Sequence, residues 1–155
     1  TMPGTFDILI REMIPADYPA VFKLWEGIKG FGIRSIDDSE EGIIRFLKRN
    51  PNTSAVAVQN GQIIGDILCG HDGRTGYFYH VCVAENYRKH GIGYEMARFC
   101  MAALRREGIN KISLIAFKSN VVGNAFWQGL GWQGREDVNL YEIVLNEENV
   151  TKFVL

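Results

Sequence analysis

Cysteine is scarce. Three residues scattered through 155, an odd number, cannot complete a disulfide framework, which suits a reducing compartment and an expected cytoplasmic location. An excess of charge of either sign is also missing. Seventeen Lys and Arg against eighteen Asp and Glu leave a net charge of −1, which argues against a nucleic-acid coat or a polybasic membrane anchor. No apolar run approaches the length of a membrane span. No signal peptide is legible, and Thr1 ahead of Met2 reads as an added residue. Internal repeats and low-complexity stretches are lacking too. What remains is enough chain for one well-buried core and too little for two ordinary domains, so one domain is expected over 1–155.

Two familiar phosphate-binding signatures are likewise missing. A dinucleotide fingerprint needs a glycine three residues beyond Gly93, where the sequence has Met96. No Gly-Lys-Ser/Thr follows any glycine loop, which excludes a nucleoside-triphosphate loop. The sequence does hold Tyr87-Arg88-Lys89-His90-Gly91-Ile92-Gly93 between a run of strand formers, Tyr77 to Val83, and a helical pattern with Ile92, Met96, Cys100 and Ala103 on one face. Gly108 supplies a left-handed stop to that helix. Glycines at a strand-to-helix turn let backbone amides and the positive end of the helix dipole face an anion. Arg88 and Lys89 add charge, and Arg88 can make a two-pronged contact with phosphate. The plainer reading is a tight turn with solvated cations.

The rest of the chain reads as alternating elements. Asp7 to Glu12 is a strand, and a helix runs from about Asp17 to Glu26 with Val21, Leu24, Trp25 and Ile28 on one face. A bend through Gly27, Gly30 and Gly32 follows. The second helix is expected to start at Asp38 as N-cap and to turn Ile43, Ile44 and Leu47 inward until Asn50-Pro51 ends it. Ser54 to Gln59 and Gln62 to Gly70 are strands joined by Asn60-Gly61, a strong hairpin signal. A second hairpin turns through residues 72–76. Lys111 to Phe117 reads as a strand apolar on both faces, and final strands are expected around Asn139 to Leu145. The fold class is therefore α+β, a mostly antiparallel mixed sheet flanked by helices, with one parallel strand-helix-strand crossover at the glycine loop.

The loop resembles the Arg/Gln-x-x-Gly-x-Gly/Ala signature of the GCN5-related N-acetyltransferases (GNAT), which transfer acetyl from acetyl-CoA to amines. Asn120 to Trp132 resembles the same family's Asn-x-x-Ala-x-x-Phe-Tyr-x-x-Leu-Gly-Phe element, with Asn120, Phe126, Leu130 and Gly131 matching and Gly123 and Trp127 departing. The likeness spans roughly Ile8 to Leu145. It implies acetyl-CoA as cosubstrate, with pyrophosphate over Arg88, Lys89, His90, Gly91, Ile92 and Gly93. The pantetheine arm would lie along the backbone edge of Val81, Cys82 and Val83, with Asn120 and Trp127 alongside. Peptide-like pantetheine amides can add to an unpaired strand edge. The acceptor would be an amine of a small molecule or a protein, no nucleic acid or membrane is implied, and a homodimer is compatible.

A primary ammonium titrates near 10.4, so a base or water chain is needed, and a backbone amide near Val81 to Val83 would serve the oxyanion. His80 is the first candidate base, against the reading of a strand histidine satisfied by its neighbours. Tyr79 and Glu26 follow; Glu26 also reads as a surface carboxylate. Asp37, Asp38, Glu40 and Glu41 could attract a cation or simply favour a helix start. Many family members have tyrosine at position 127 as proton donor. Indole does not release a proton near neutrality, but a thiolate leaves tolerably without an acid, so an active enzyme is still expected. A non-catalytic acyl-CoA-binding module is the alternative. A hairpin symmetric about Thr75-Gly76 would also set Cys69 opposite Cys82 and His71 opposite His80, which are zinc ligand types.

Overall fold

The computed structural model describes residues 7–155; Thr1 and Met2 lie outside the described residues. In chain order the elements are β1 (Leu9–Glu12), α1 (Tyr18–Glu26), β2 (Gly32–Arg34), α2 (Glu40–Arg49), β3 (Ala55–Gln59), β4 (Gln62–His71), β5 (Gly76–Val83), α3 (Ile92–Arg106), β6 (Ile112–Ser113), α4 (Val121–Gly129) and β7 (Thr151–Phe153). The main sheet has the order β1-β3-β4-β5-β6, antiparallel except for the parallel β5–β6 pair. A second, two-stranded sheet joins β2 to β7.

Two cores sit on opposite faces of the main sheet, as the two-residue period of strands requires. Ala55, Ala57, Ile67 and Cys69 pack with Ile92, Met96, Cys100 and Leu104 of α3. Val56 and Leu68 pack with Val21 and Trp25 of α1 and Ile43 and Leu47 of α2. Ile44, expected inside, is 38% exposed, because the buried stripe of α2 is confined to Gly42, Ile43 and Leu47. Asn60 and Gly61 both take positive φ, 48° and 77°, and close the β3–β4 turn as their sequence predicts. Gly108, at φ 79°, ends α3.

Three expectations are corrected. The strand at Lys111 to Phe117 shrinks to Ile112–Ser113, and Ile115 and Phe117 are exposed. Residues 139–145 form no strand: β6 is too short to offer them a ladder, and Leu140, Tyr141, Ile143, Val144 and Leu145 are exposed. The late strand is instead β7, which pairs with β2 at Gly32↔Phe153 to Arg34↔Thr151. The cap of α2 is Ser39, whose hydroxyl accepts the Gly42 amide at 3.1 Å, and Asp38 is turned elsewhere.

Candidate active site

Strand β5 carries one residue too many for β4. Asp66 pairs with Cys82 and Leu68 with Tyr79, so Ile67 faces both His80 and Val81, and His80 takes the left-handed φ of 50°. A bulge of this kind bends the strand and re-aims a side chain. The imidazole is turned toward the α1 and α2 face, where its centroid lies 4.8 Å from Trp25 and 4.8 Å from Phe31. Its Nε2 lies 2.8 Å from Asp38 Oδ1, with the histidine side chain 20% and the aspartate 5% exposed.

Asp38 is itself fixed. Its Oδ2 accepts the Arg34 amide at 2.7 Å, and its carbonyl accepts the Tyr18 hydroxyl at 2.7 Å. Because Ser39 caps α2, the Asp38 carboxylate is available to the imidazole. A carboxylate can only accept, so the neutral ring carries its proton on Nε2 and presents Nδ1 as the lone-pair nitrogen.

Behind the aromatic wall lies Asp66, fully buried on β4. Trp25 Nε1–H donates to its Oδ1 at 3.0 Å and the Cys82 thiol donates to the same atom at 2.7 Å. Oδ2 has no partner. Burial raises the Asp66 carboxyl to about 7, against the opposing pull of the Cys82 and Trp25 hydrogen bonds and the His80 charge. An acid bonded at one oxygen and bare at the other suits a protonated carboxyl, with the bare oxygen carrying the proton. The Cys82 thiol is pushed well up by burial and then by Asp66, so it is no nucleophile.

The other side of β5 opens. β6 pairs with it only at Gly76 and Tyr77, and among the described residues no strand lies along that edge from Tyr79 to Val83. Beyond the strand's end, the Arg88 Nε donates to the Val83 carbonyl at 3.0 Å, tying the loop to β5. Lys89 and Gly91 are left-handed, at 65° and 78°. Such alternation curls successive amides toward one side of the loop at the first turn of α3. A Cβ on Gly91 would meet nothing within 4 Å, whereas one on Gly93 would sit 3.1 Å from the Phe126 ring. Gly91 therefore serves the loop conformation and leaves open space above it, and Gly93 admits α4. Ile92 is buried beneath, and Arg88, Lys89 and His90 are exposed.

The family model for GNAT acetyltransferases matches residues 16–132. The chain belongs to the GNAT family. It is 33% identical over 111 residues to an acetyltransferase of Pectobacterium atrosepticum, covering 72% of this chain and 77% of the relative. An acetyltransferase of Sodalis glossinidius is 29% identical over 131 residues, 84% and 91% of the two chains. The GNAT fold is shared with the PaiA N-acetyltransferase of Thermoplasma acidophilum solved with coenzyme A, at TM-score 0.73 and 14% identity over 94% of this chain and 97% of that one. It is shared as well with an aminoglycoside acetyltransferase from an uncultured soil metagenomic sample, solved with sisomicin, at TM-score 0.69 and 20% identity over 90% and 97%.

The remaining GNAT candidates are not assembled around His80. Glu26 is an exposed carboxylate at the end of α1. Tyr79 is 48% exposed, stacked on Tyr77 and edge-on to Phe46. Asn120 caps α4, its Oδ1 accepting the Gly123 amide at 2.9 Å. A Cβ at Gly123 would fall 2.4 Å from the Asn120 side-chain amide as it is placed here, so an alanine at that position would require the Asn120 side chain to shift. Trp127 packs against Phe78, Phe126 and Trp132. The zinc-type hairpin dissolves, because Cys69 faces Phe78 and His71 faces Gly76. Sequence reasoning missed Asp38 as the partner of His80, and missed Asp66. For Asp66 a signal existed: one carboxylate inside the apolar run Ile63 to Leu68.

Proposed function

We propose that this GNAT acetyltransferase moves the acetyl group of acetyl-CoA directly to a primary amine, with His80 accepting the ammonium proton and Asp38 holding the imidazole. The His80–Asp38 contact at the bulge of β5, beside the strand edge left open by β6, carries this reading. Acetyl-CoA supplies an acyl carbon activated as a thioester. The curled amides from Lys89 to Gly93, with Arg88 and Lys89, would hold its phosphates. The backbone of Val81, Cys82 and Val83 would take its amide-bearing arm. The open space at Gly91 and the unpaired edge fit both tasks.

An ammonium becomes a nucleophile only after losing a proton, and Nδ1 of His80 can take it while Asp38 offsets the imidazolium charge. A backbone amide of the bulge, displaced from the β4 ladder, supports the oxyanion. Transfer then forms the amide and breaks the carbon–sulfur bond. The thiolate, whose parent thiol has a pKa of about 8.5, leaves without a hydroxyl at position 127. The acceptor is a small-molecule amine on this reading, in line with the aminoglycoside-modifying structural neighbours; a protein amine is the alternative.

Thiol release from acetyl-CoA with an amine panel, comprising an aminoglycoside, a diamine and a lysine peptide, tests it. His80→Gln should lower kcat/KM by about a hundredfold or more while CoA affinity stays unchanged. Equal turnover in that variant would remove His80 as base. Tight acetyl-CoA binding with no turnover on any amine would favour a non-catalytic acyl-CoA-binding module, a reading that Trp127 in place of a hydroxyl supports.

A further inference from the structure

The loop that carries Phe31 and Asp38 to His80 is not self-supporting. It runs from the end of α1 to the start of α2, and its outer side is backed by the last described residues of the chain. Beyond the three-residue β2–β7 ladder, the Gly30 amide donates to the Val154 carbonyl at 2.7 Å and the Val154 amide to the Phe31 carbonyl at 2.9 Å. Ser35 closes a two-way contact: its hydroxyl donates to the Glu148 carbonyl at 2.8 Å and accepts the Val150 amide at 2.9 Å. Between these lies Asn149. Its Oδ1 accepts the amides of both Ile36 and Asp37 at 3.0 Å, and its Nδ2 donates to Asp37 Oδ2 at 2.8 Å.

Those three bonds use both lone pairs of Oδ1 and one of the two Nδ2 hydrogens, in the only amide orientation that satisfies all three partners. They fix the turn directly before Asp38, whose own amide donates to the Arg34 carbonyl at 3.1 Å while its Oδ2 accepts the Arg34 amide. The Asp38 carboxylate reaches His80 only if this turn keeps its shape. A hydrogen-bonded side chain that stands 112 positions along the chain from its partner is a tertiary clamp, not a local turn.

We infer that Asn149 is a positioning residue for the transfer reaction: by clamping the Ile36–Asp37 turn it aims Asp38 at the His80 imidazole. The inference rests on the His80–Asp38 reading of the active site, and its test does not depend on catalysis.

In the full chain, the ring Nε2–H of His80, held by Asp38, should give a downfield proton resonance protected from solvent exchange, assigned by its loss in His80→Gln. In Asn149→Ala that resonance should broaden or vanish, and the amides of Ile36 and Asp37 should exchange at least tenfold faster. Asn149→Asp should do the same, since it sets a second carboxylate against Asp37. The double variant Asn149→Asp with Asp37→Asn restores a reversed amide–carboxylate pair and should recover both signals. A change in stability alone would not move the ring resonance and then bring it back. Wild-type signals in both single variants, or a double variant no better than Asn149→Asp, would overturn the inference. If Asn149→Ala fails to fold, the reciprocal pair still decides. If the ring signal follows Asn149 but His80→Gln transfers acetyl at the wild-type rate, the clamp stands and the assignment of His80 as base is what fails.

Discussion

Asp66 converts its surroundings into a pH dependence. Its ordinary value is 3.8 and burial raises it to about 7, so between these limits the folded chain holds a proton that the unfolded chain has released. Below about pH 4 both states are protonated and the residue contributes nothing. As pH rises from there, stability falls by about 1.4 kcal/mol per pH unit, levels off above about 7, and totals on the order of 4 kcal/mol. Asp66→Asn keeps an oxygen for Trp25 and Cys82 and has no charge to bury. Urea midpoints at pH 5 and pH 8 should separate in the wild type and nearly coincide in the variant. An equal separation in both would show that Asp66 is not the source. Asp38→Asn is the companion test at the site. It leaves an acceptor opposite Nε2 yet offers no negative charge to the imidazolium, so kcat should fall about tenfold or more with CoA binding unchanged.

At the scale of elements, the two glycines at the head of α3 have different duties, and substitution separates them. Gly91→Ala places a Cβ in open space but in a left-handed backbone, so it should cost about 1–2 kcal/mol of stability without a clash. Gly91→Glu puts an anion where phosphate is proposed to lie and should abolish micromolar CoA binding, read by calorimetry on protein that still melts cooperatively. Gly93→Val drives a side chain into the Phe126 ring and should loosen α4 first, read as faster exchange of its amides. Much of this architecture was legible in the sequence. Asn60-Gly61 fixed one hairpin by its turn chemistry, and Ile92, Met96, Cys100 and Ala103 fixed the buried face of α3. Residues 139–145 misled because strand-forming side chains say nothing about whether an edge is free to pair. Asp38 misled for a related reason: a helix-start aspartate and one aimed 42 residues ahead at a bulged histidine look alike until the register of β5 is known.

For the whole molecule, the sheet and its two cores enclose every thiol. Cys69, Cys82 and Cys100 are free and buried. A thiol-reactive dye should therefore modify all three together, at the rate of global opening, and a reductant should leave the melting temperature unchanged. Faster modification of one cysteine would reveal a local opening on its face of the sheet. A cosubstrate that binds only the folded chain should raise the midpoint by mass action, by about 2.7 kcal/mol at a hundredfold excess over Kd. That shift should disappear in Gly91→Glu.

The backbone at position 80 also limits what inheritance can place there. A φ of 50° suits histidine, asparagine, aspartate and glycine, and penalises β-branched residues and proline. Copies of this gene that drift free of selection for the imidazole would still be filtered by the bulge, because the packing of β4 on β5 persists whatever the side chain does. Asparagine or glycine at that position in a descendant would mark a lost base, and valine or isoleucine would mark a lost bulge. The conformation thus outlasts the chemistry, and a substitution at this one position tells which of the two has been abandoned.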